Sequence, residues 1–393
     1  MGTRVRSWQR HPLLVLTCLA AGCGSGSSAG SPAGTRDAST DRSTGDAVAE
    51  DSGDAGGSTD STVPDSQPGS DSSPSDTGST GDTTAADAPL PPAEAGIDSG
   101  PPLVDVYLAT GYQNRRIASF DGTATWVNDV SDPPNALDDI GTGVAFGLGT
   151  VIVAGHTGIY TSTDAKSWTH LPAPLPQVWP GLGGAAAAFG NGTFVVVASN
   201  DAWTSPDAVT FTDNKPSDGG SMAATHWDGL AWGNGHFFAV GDSNGPGDRK
   251  ASEDGITWHD YVQDSQAWGG VAFGQGVFVA VGAGGRRVWT TDGVTLNDVS
   301  DATLGNLDGV AFGGGQFVVA GAQGSATSPD GKVWTKLATI PGVGNYGGGL
   351  FLTTTWVSNI LTSPTGATWT TVFSGAMGTP AFSRITWGQI KGP

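Results

Sequence analysis

Paired carboxylates are the first candidates for chemistry in this chain: Asp228 and Asp308 occupy matching positions in separate copies of an internal repeat. Two such groups across a glycosidic bond can hydrolyse it, one giving a proton and the other assisting attack at the sugar. A binding chemistry is written nearby. Trp227 and Trp268 each stand six residues before a repeated glycine, with His226 and Asp228 beside the first, and Arg249, Lys250, Arg286 and Arg287 lie in two length-variable loops. Aromatic faces and cations carried on such loops suit a glycan or an acidic peptide. The plainer alternative is that the tryptophans plug the channel mouth and the arginines are ordinary solvated charges. Other chemistries have no residues to run on. The six histidines form no HExxH spacing, no serine sits in a GxSxG elbow, and the only cysteines are Cys18 and Cys23. No metal site and no cofactor is expected.

The elements that must position these residues repeat about every 41 residues over Pro102 to Pro393. One anchor is aromatic-Gly-x-Gly before an apolar run, as in FGLGTVIVAG from Phe146, WGNGHFFAVG from Trp232 and FGQGVFVAVG from Phe273. The other is Ser-x-Asp before a hydrophobe, usually Trp, as in STDAKSW from Ser162 and SEDGITW from Ser252. Each unit reads as four short antiparallel strands, with glycines supplying the positive torsions of tight hairpins. The first unit lacks its first strand. That strand stands at the other end, where Ile385 to Gly388 has the anchor form. Six whole units and one split between the termini predict an all-β, seven-bladed β-propeller over residues 103–390, closed by its C-terminal strand. The hairpins with Gly and with Asp fall on one rim; the crossovers between blades, with the candidate site, fall on the other.

The seven Asp-containing turns resemble the Asp-box, Ser-x-Asp-x-Gly-x-Thr-Trp, of sialidase-type propellers and relatives that include the photosystem assembly factor. Six of the seven are one residue shorter, Asp164 and Asp207 are followed by Ala, and Thr365 replaces the Asp. Asp121, Asp164, Asp207, Asp254, Asp292 and Asp330 are expected to be structural, accepting backbone N–H bonds within their turns. A sialidase likeness would also imply three arginines clamping a carboxylate, a Tyr activated by Glu, and an acidic proton donor. The arginines here come mostly in adjacent pairs, and Glu253, the only glutamate of the repeat region, lies in an Asp turn on the wrong rim. That argues against sialidase activity in particular.

What precedes the repeats concerns location. Arg4, Arg6 and Arg10 lead into a short apolar stretch ending in Ala20-Ala21-Gly22-Cys23, the layout of a secretory signal too short to span a bilayer as an ordinary helix. Residues 19–23 resemble the bacterial lipoprotein processing box. The resemblance implies removal of residues 1–22, acylation of Cys23 and a lipid bilayer as partner; Gly24 after the cysteine points to the outer membrane or cell surface. Residues 23–102 are Ser, Asp, Gly, Thr and Pro with no aromatic residue, and read as a disordered acidic tether. With 14 acids against two arginines from Gly24 to Pro102, it holds twelve of the chain's twenty net negative charges. Nucleic acid is an improbable partner for such a chain. The combined expectation is a tethered extracytoplasmic module that binds or scaffolds polysaccharide or an envelope protein, with a glycoside hydrolase and an assembly factor as the alternatives.

Overall fold

The computed structural model describes residues 102–123, 125–131, 142–155, 158–172, 184–198, 201–214, 226–242, 247–260, 264–321, 323–355 and 357–392. The expected signal segment, Cys23 and the tether, Pro102 aside, lie outside the described residues. The strands form seven four-stranded antiparallel sheets, each a blade of a β-propeller.

Blade 1 is assembled from both ends of the chain. Its inner strand is Phe382–Ile390, paired along its length with Val104–Gly111; Arg116–Ser119 and Val127–Val130 follow outward. The other six blades take their strands in sequence order. Their inner strands are Gly143–Gly147, Ala185–Gly190, His226–Gly233, Trp268–Gly274, Gly309–Gly313 and Asn345–Gly347, for blades 2 to 7. Second strands such as Thr193–Ala198 and Val277–Gly282 are buried almost throughout, because a neighbouring blade covers each face.

The two glycines of each anchor do different work. In Phe146-Gly147-Leu148-Gly149, Leu148 and Gly149 both have positive φ (52° and 69°), the signature of a two-residue hairpin whose twist matches its strands. Gly147 has no such torsion. A Cβ there would overlap the ring of Phe189, the anchor aromatic of the next blade. The same relation joins Gly190 to Trp232, Gly233 to Phe273, Gly274 to Phe312, Gly313 to Tyr346, Gly347 to Trp387, and Gly388 to Phe146. This cycle passes once around the ring and returns to its start. The sequence reading credited these glycines to turns; half of them are packing glycines.

The Asp turns form a second repeated device. In six of them the Ser or Thr hydroxyl donates to the Asp Oδ1 at 2.8–3.1 Å, and that oxygen accepts backbone N–H groups two or three residues on. At Asp207 the donors are Val209 and Thr210, at 2.8 and 2.7 Å. The N–H groups of Thr210 and Val209 hold this carboxyl down at about 2. The other five are lowered too; at Asp164, Asp254 and Asp292 partial burial pushes upward, and the backbone donors outweigh it. The residue after the Asp, or after Thr365 in the seventh turn, is left-handed in every case, including Ala165 (54°) and Ala208 (61°), a torsion that glycine adopts more readily than alanine. In the seventh turn Ser363 and Thr365 carry the remaining bonds, the Thr365 hydroxyl reaching Ala367 N only at 3.4 Å.

Three measurements test this construction. Ending the chain at Ala381 removes the inner strand of blade 1 and two links of the glycine–aromatic cycle; the cooperative thermal transition should be lost, and a truncated protein that still unfolds in one sharp step would refute closure by that strand. Gly274→Ala should cost about 2–3 kcal/mol by overpacking, against about 1 kcal/mol for Gly276→Ala, where only the left-handed torsion is penalised because a Cβ meets nothing within 4 Å. For Asp207 the folded pKa lies below the unfolded value, so its contribution is present above about pH 4 and is lost as pH falls toward 2. Asp207→Asn keeps an acceptor and removes the charge. Urea midpoints of the two proteins should therefore differ at pH 7 and converge near pH 2.

Candidate functional site

The crossover rim carries a polar network and, inside it, the mouth of the central channel. Trp227 and Trp268 begin the inner strands of blades 4 and 5. Both are buried, at 0% and 2% exposure. Trp227 packs with Ala186, Val195, Phe237 and Trp258 between blades, and Trp268 with Phe238 and Val288. The two tryptophans are therefore core side chains between blades, neither the open faces that a ligand pocket would need nor plugs of the channel mouth. Their direction is set by a β-bulge. Pairing in blade 4 skips from Trp227 to Gly229, and in blade 5 from Trp268 to Gly270. The extra residue, Asp228 or Gly269, shifts the alternation by one and turns the indole between the sheets.

The loop cations follow the same inward course. Asp264, in the crossover from blade 4 to blade 5, accepts from Arg249 Nε at 2.9 Å and Trp268 Nε1 at 3.1 Å with one oxygen, and from Arg286 at 2.8 Å with the other. The Arg286 guanidinium lies 3.8 Å from the Trp268 ring centroid and also donates to the Gln266 carbonyl. Asp264 thus unites Arg249, Arg286 and Trp268, which the sequence singled out separately. Arg249 reaches onward to the carbonyls of Gly293 and Val294 in the next blade's Asp turn. Arg287 is buried 4.8 Å from the Trp334 ring, and burial lowers its pKa while Asp301 opposes the shift. Lys250 is buried and His226 half-buried. Arg115 is bound to Asp129 through two nitrogens, at 2.6 and 2.7 Å, and Arg116 lies over Tyr160 and Trp168. These arginines tie strands and blades together.

Of the residues named from the sequence, Asp228 does reach the channel mouth, and Asp308 reaches the same cavity. It encloses about 150 Å³ and takes lining residues from the inner strands of all seven blades. Arg384, on the closing strand, extends over the mouth and donates to the backbone carbonyl of Asp228, in the blade three places around the ring. Three residues before the anchor aromatic, where blade 1 has Arg384, the other blades have Gly143, Ala186, Gly229, Gly270, Gly309 and Val343. That departure in an aligned column was the signal available for Arg384, and no single repeat shows it. Asn345 is held by the fold, donating to Thr386 Oγ1 at 2.8 Å and accepting from Tyr346 N. Asp308 is exposed at the mouth, and its partial burial there pushes the carboxyl above its ordinary value. Among the described residues no three His, Cys, Asp or Glu side chains are grouped to hold a metal ion.

No family model matches the chain, and no curated protein matches it. Solved structures do. The chain is similar to a putative 6-phosphogluconolactonase from Bacteroides uniformis ATCC 8492, at 11% identity and a TM-score of 0.49, over 72% of this chain and 99% of that one. It is similar to virginiamycin B lyase from Staphylococcus aureus at 12% identity and a TM-score of 0.46, over 58% and 83%. YCF48 from Cyanidioschyzon merolae matches at 16% identity and a TM-score of 0.42, over 68% and 94%. The likeness is one of fold.

The network around Asp264 predicts a large mutational effect. Asp264→Ala strands two largely buried guanidinium groups and should destabilise the ring by about 3 kcal/mol in urea unfolding. A loss below about 0.5 kcal/mol would place the pair among solvated surface charges.

Proposed function

We propose that the chain is an exported propeller, lipid-anchored through Cys23 in the outer membrane or cell surface, that binds or scaffolds an envelope protein. The observation that carries the binding reading is the commitment of the crossover-rim cations and tryptophans to the ring itself. A closed scaffold with its own strong pairs satisfied is suited to presenting a surface without reorganising it. The burial of Trp227 and Trp268 favours a protein partner over a polysaccharide, because stacking on a sugar needs an open aromatic face. The chain enters the ring at Leu103 and Val104, opposite Ile390, on the rim of the Gly and Asp turns.

Glycoside hydrolysis is the second reading, favoured by Asp308. A carboxyl raised by partial burial, with a second carboxylate lining the same cavity, is the pairing a general acid and its partner require. Arg384, extended over the mouth, stands where the sugar would have to enter.

Two experiments test the proposal. Metabolic acyl labelling should mark the wild-type protein and be absent from Cys23→Ser; equal labelling of both would remove the anchor from the reading. A photocrosslinking residue at exposed Ser265 on the crossover face, set against one at exposed Val333 on the Asp-turn rim, should give a discrete adduct with an envelope protein only from position 265. Adducts from neither position, or equally from both, would overturn binding through that face.

A further inference from the structure

We infer that Asn191-Gly192, the hairpin tip of blade 3, is a site of spontaneous covalent rearrangement in the folded ring, and that Asn234-Gly235, the same dipeptide at the matching tip of blade 4, is held inert by its hydrogen bonds. The modification is deamidation through a cyclic imide, with water as the only co-reactant.

The two tips are a matched pair. Each joins the inner strand of its blade to the second strand, after an anchor aromatic and a packing glycine: Phe189-Gly190 in one, Trp232-Gly233 in the other. Asn191 and Asn234 have φ of 48° and 49°, and Gly192 and Gly235 have 72° and 79°. All four residues are exposed, and a Cβ on either glycine would meet nothing within 4 Å. Among the described residues neither glycine N–H makes a hydrogen bond, as the second position of a two-residue hairpin dictates.

What differs is the amide. Asn234 Nδ2 donates to the Gly276 carbonyl at 2.8 Å and to the Thr291 carbonyl at 3.0 Å, both in blade 5. Both of its N–H bonds are used, and the side chain is pinned across the blade boundary. Asn191 engages only its backbone carbonyl, with Thr193 Oγ1 at 3.5 Å; its side chain has no partner among the described residues.

The reaction requires two neighbouring groups to meet. The Gly192 amide nitrogen attacks Asn191 Cγ: an N–C bond forms, the Cγ–Nδ2 bond breaks, and Nδ2 leaves as ammonia with the proton that the glycine nitrogen gave up. Water then opens the five-membered imide at either carbonyl, leaving Asp or an isoaspartyl link, with no change of oxidation state. Attack geometry takes a rotation at the hairpin tip, a local opening of low cost. At Asn234 the same rotation must first break two hydrogen bonds. The Asp-Gly pairs of the Asp turns are shut off differently: at Asp254-Gly255 the glycine N–H donates to Ser252 Oγ at 2.8 Å, while Asp254 Oδ1 accepts from Ile256 and Thr257 N–H. Nucleophile and electrophile are both occupied there.

The product bears on the ring. An isoaspartyl link adds one backbone carbon between Gly190, which lies against Trp232 with no room for a Cβ, and Thr193–Ala198, a strand buried almost throughout. Rearrangement at Asn191 therefore strains one link of the glycine–aromatic cycle.

The test incubates the full-length protein in ¹⁸O-enriched water at neutral pH and follows both tips by peptide mass mapping. Every protein compared carries Asn244→Ser, because Asn244-Gly245 lies outside the described residues. Asn191 should convert roughly fivefold or more faster than Asn234, the factor that about one net hydrogen bond supplies. In urea that unfolds the ring the two rates should come together, since both tips read Gly-Asn-Gly. Aged protein should melt at a lower temperature than fresh protein, and Asn191→Gly, which keeps the left-handed torsion without an amide, should age without that loss. Equal rates in the folded protein, a faster Asn234, or a ratio that survives unfolding would overturn the inference. So would an Asn191→Gly protein that loses stability with age as fast as one retaining Asn191.

Discussion

Each blade of this ring is positioned by an aromatic side chain lying on a glycine of the blade before it. The contact works only if the glycine has no Cβ, and it works seven times because the sequence repeats both halves in register. A single aromatic–glycine contact is a modest packing interaction, but a cyclic set is different in kind: the last contact fixes the first. Here the closing strand carries one half of each of the last two contacts, Trp387 against Gly347 and Gly388 under Phe146. The strand furthest in sequence from blade 1 is therefore also the one that completes the cycle, in addition to its backbone pairing with Val104–Gly111. Inner strands held this closely leave a narrow axis, and the small cavity at its mouth follows from the same spacing.

A second column of residues shows how such a ring tolerates variation. Three residues before the Ser or Thr of each Asp turn stand Arg116, Ile159, Ala202, Arg249, Arg287, Ser325 and Ile360. Ile159 packs in the cluster that takes in Phe211, Ala202 with Trp258, and Ile360 with Trp126, each the hydrophobe of the next blade's turn. Arg116 and Arg287 do the equivalent over Trp168 and Trp334, using the guanidinium plane. Where the next hydrophobe is Leu296, which has no aromatic face, Arg249 instead reaches the turn's carbonyls at Gly293 and Val294. Arg116, Arg249 and Arg287 are thus alternative fillings of one inter-blade slot.

The architecture was legible because repetition multiplies weak signals: blade count, the split first blade and closure by the C-terminal strand all came from anchors in register. The site was much less so, for identifiable reasons. Spacing put Trp227 and Trp268 at the crossover correctly, but one inserted residue in a strand reverses which face a side chain takes, and nothing in Trp-Asp-Gly or Trp-Gly-Gly announces a bulge. Asp264 sits in an irregular crossover with no counterpart in the other repeats, so its bonds to Arg249, Arg286 and Trp268 depend on tertiary geometry alone. Arg384 could have been found, since it breaks a column of small residues.

Net charge needs the same dissection before it says anything about partners. Twelve of the twenty net negative charges lie between Gly24 and Pro102. Of the acids in the ring, six are turn aspartates whose Oδ1 atoms accept from local hydroxyl and N–H donors, and Asp129 and Asp264 are matched to arginines. Charge spent inside turns and between blades cannot steer an incoming molecule strongly, because its field is already answered by local dipoles and cations. The charge that can act is the part left unanswered by the fold. At the channel mouth Asp228 and Asp308 share the lining with Arg384, whose guanidinium donates to the Asp228 backbone carbonyl.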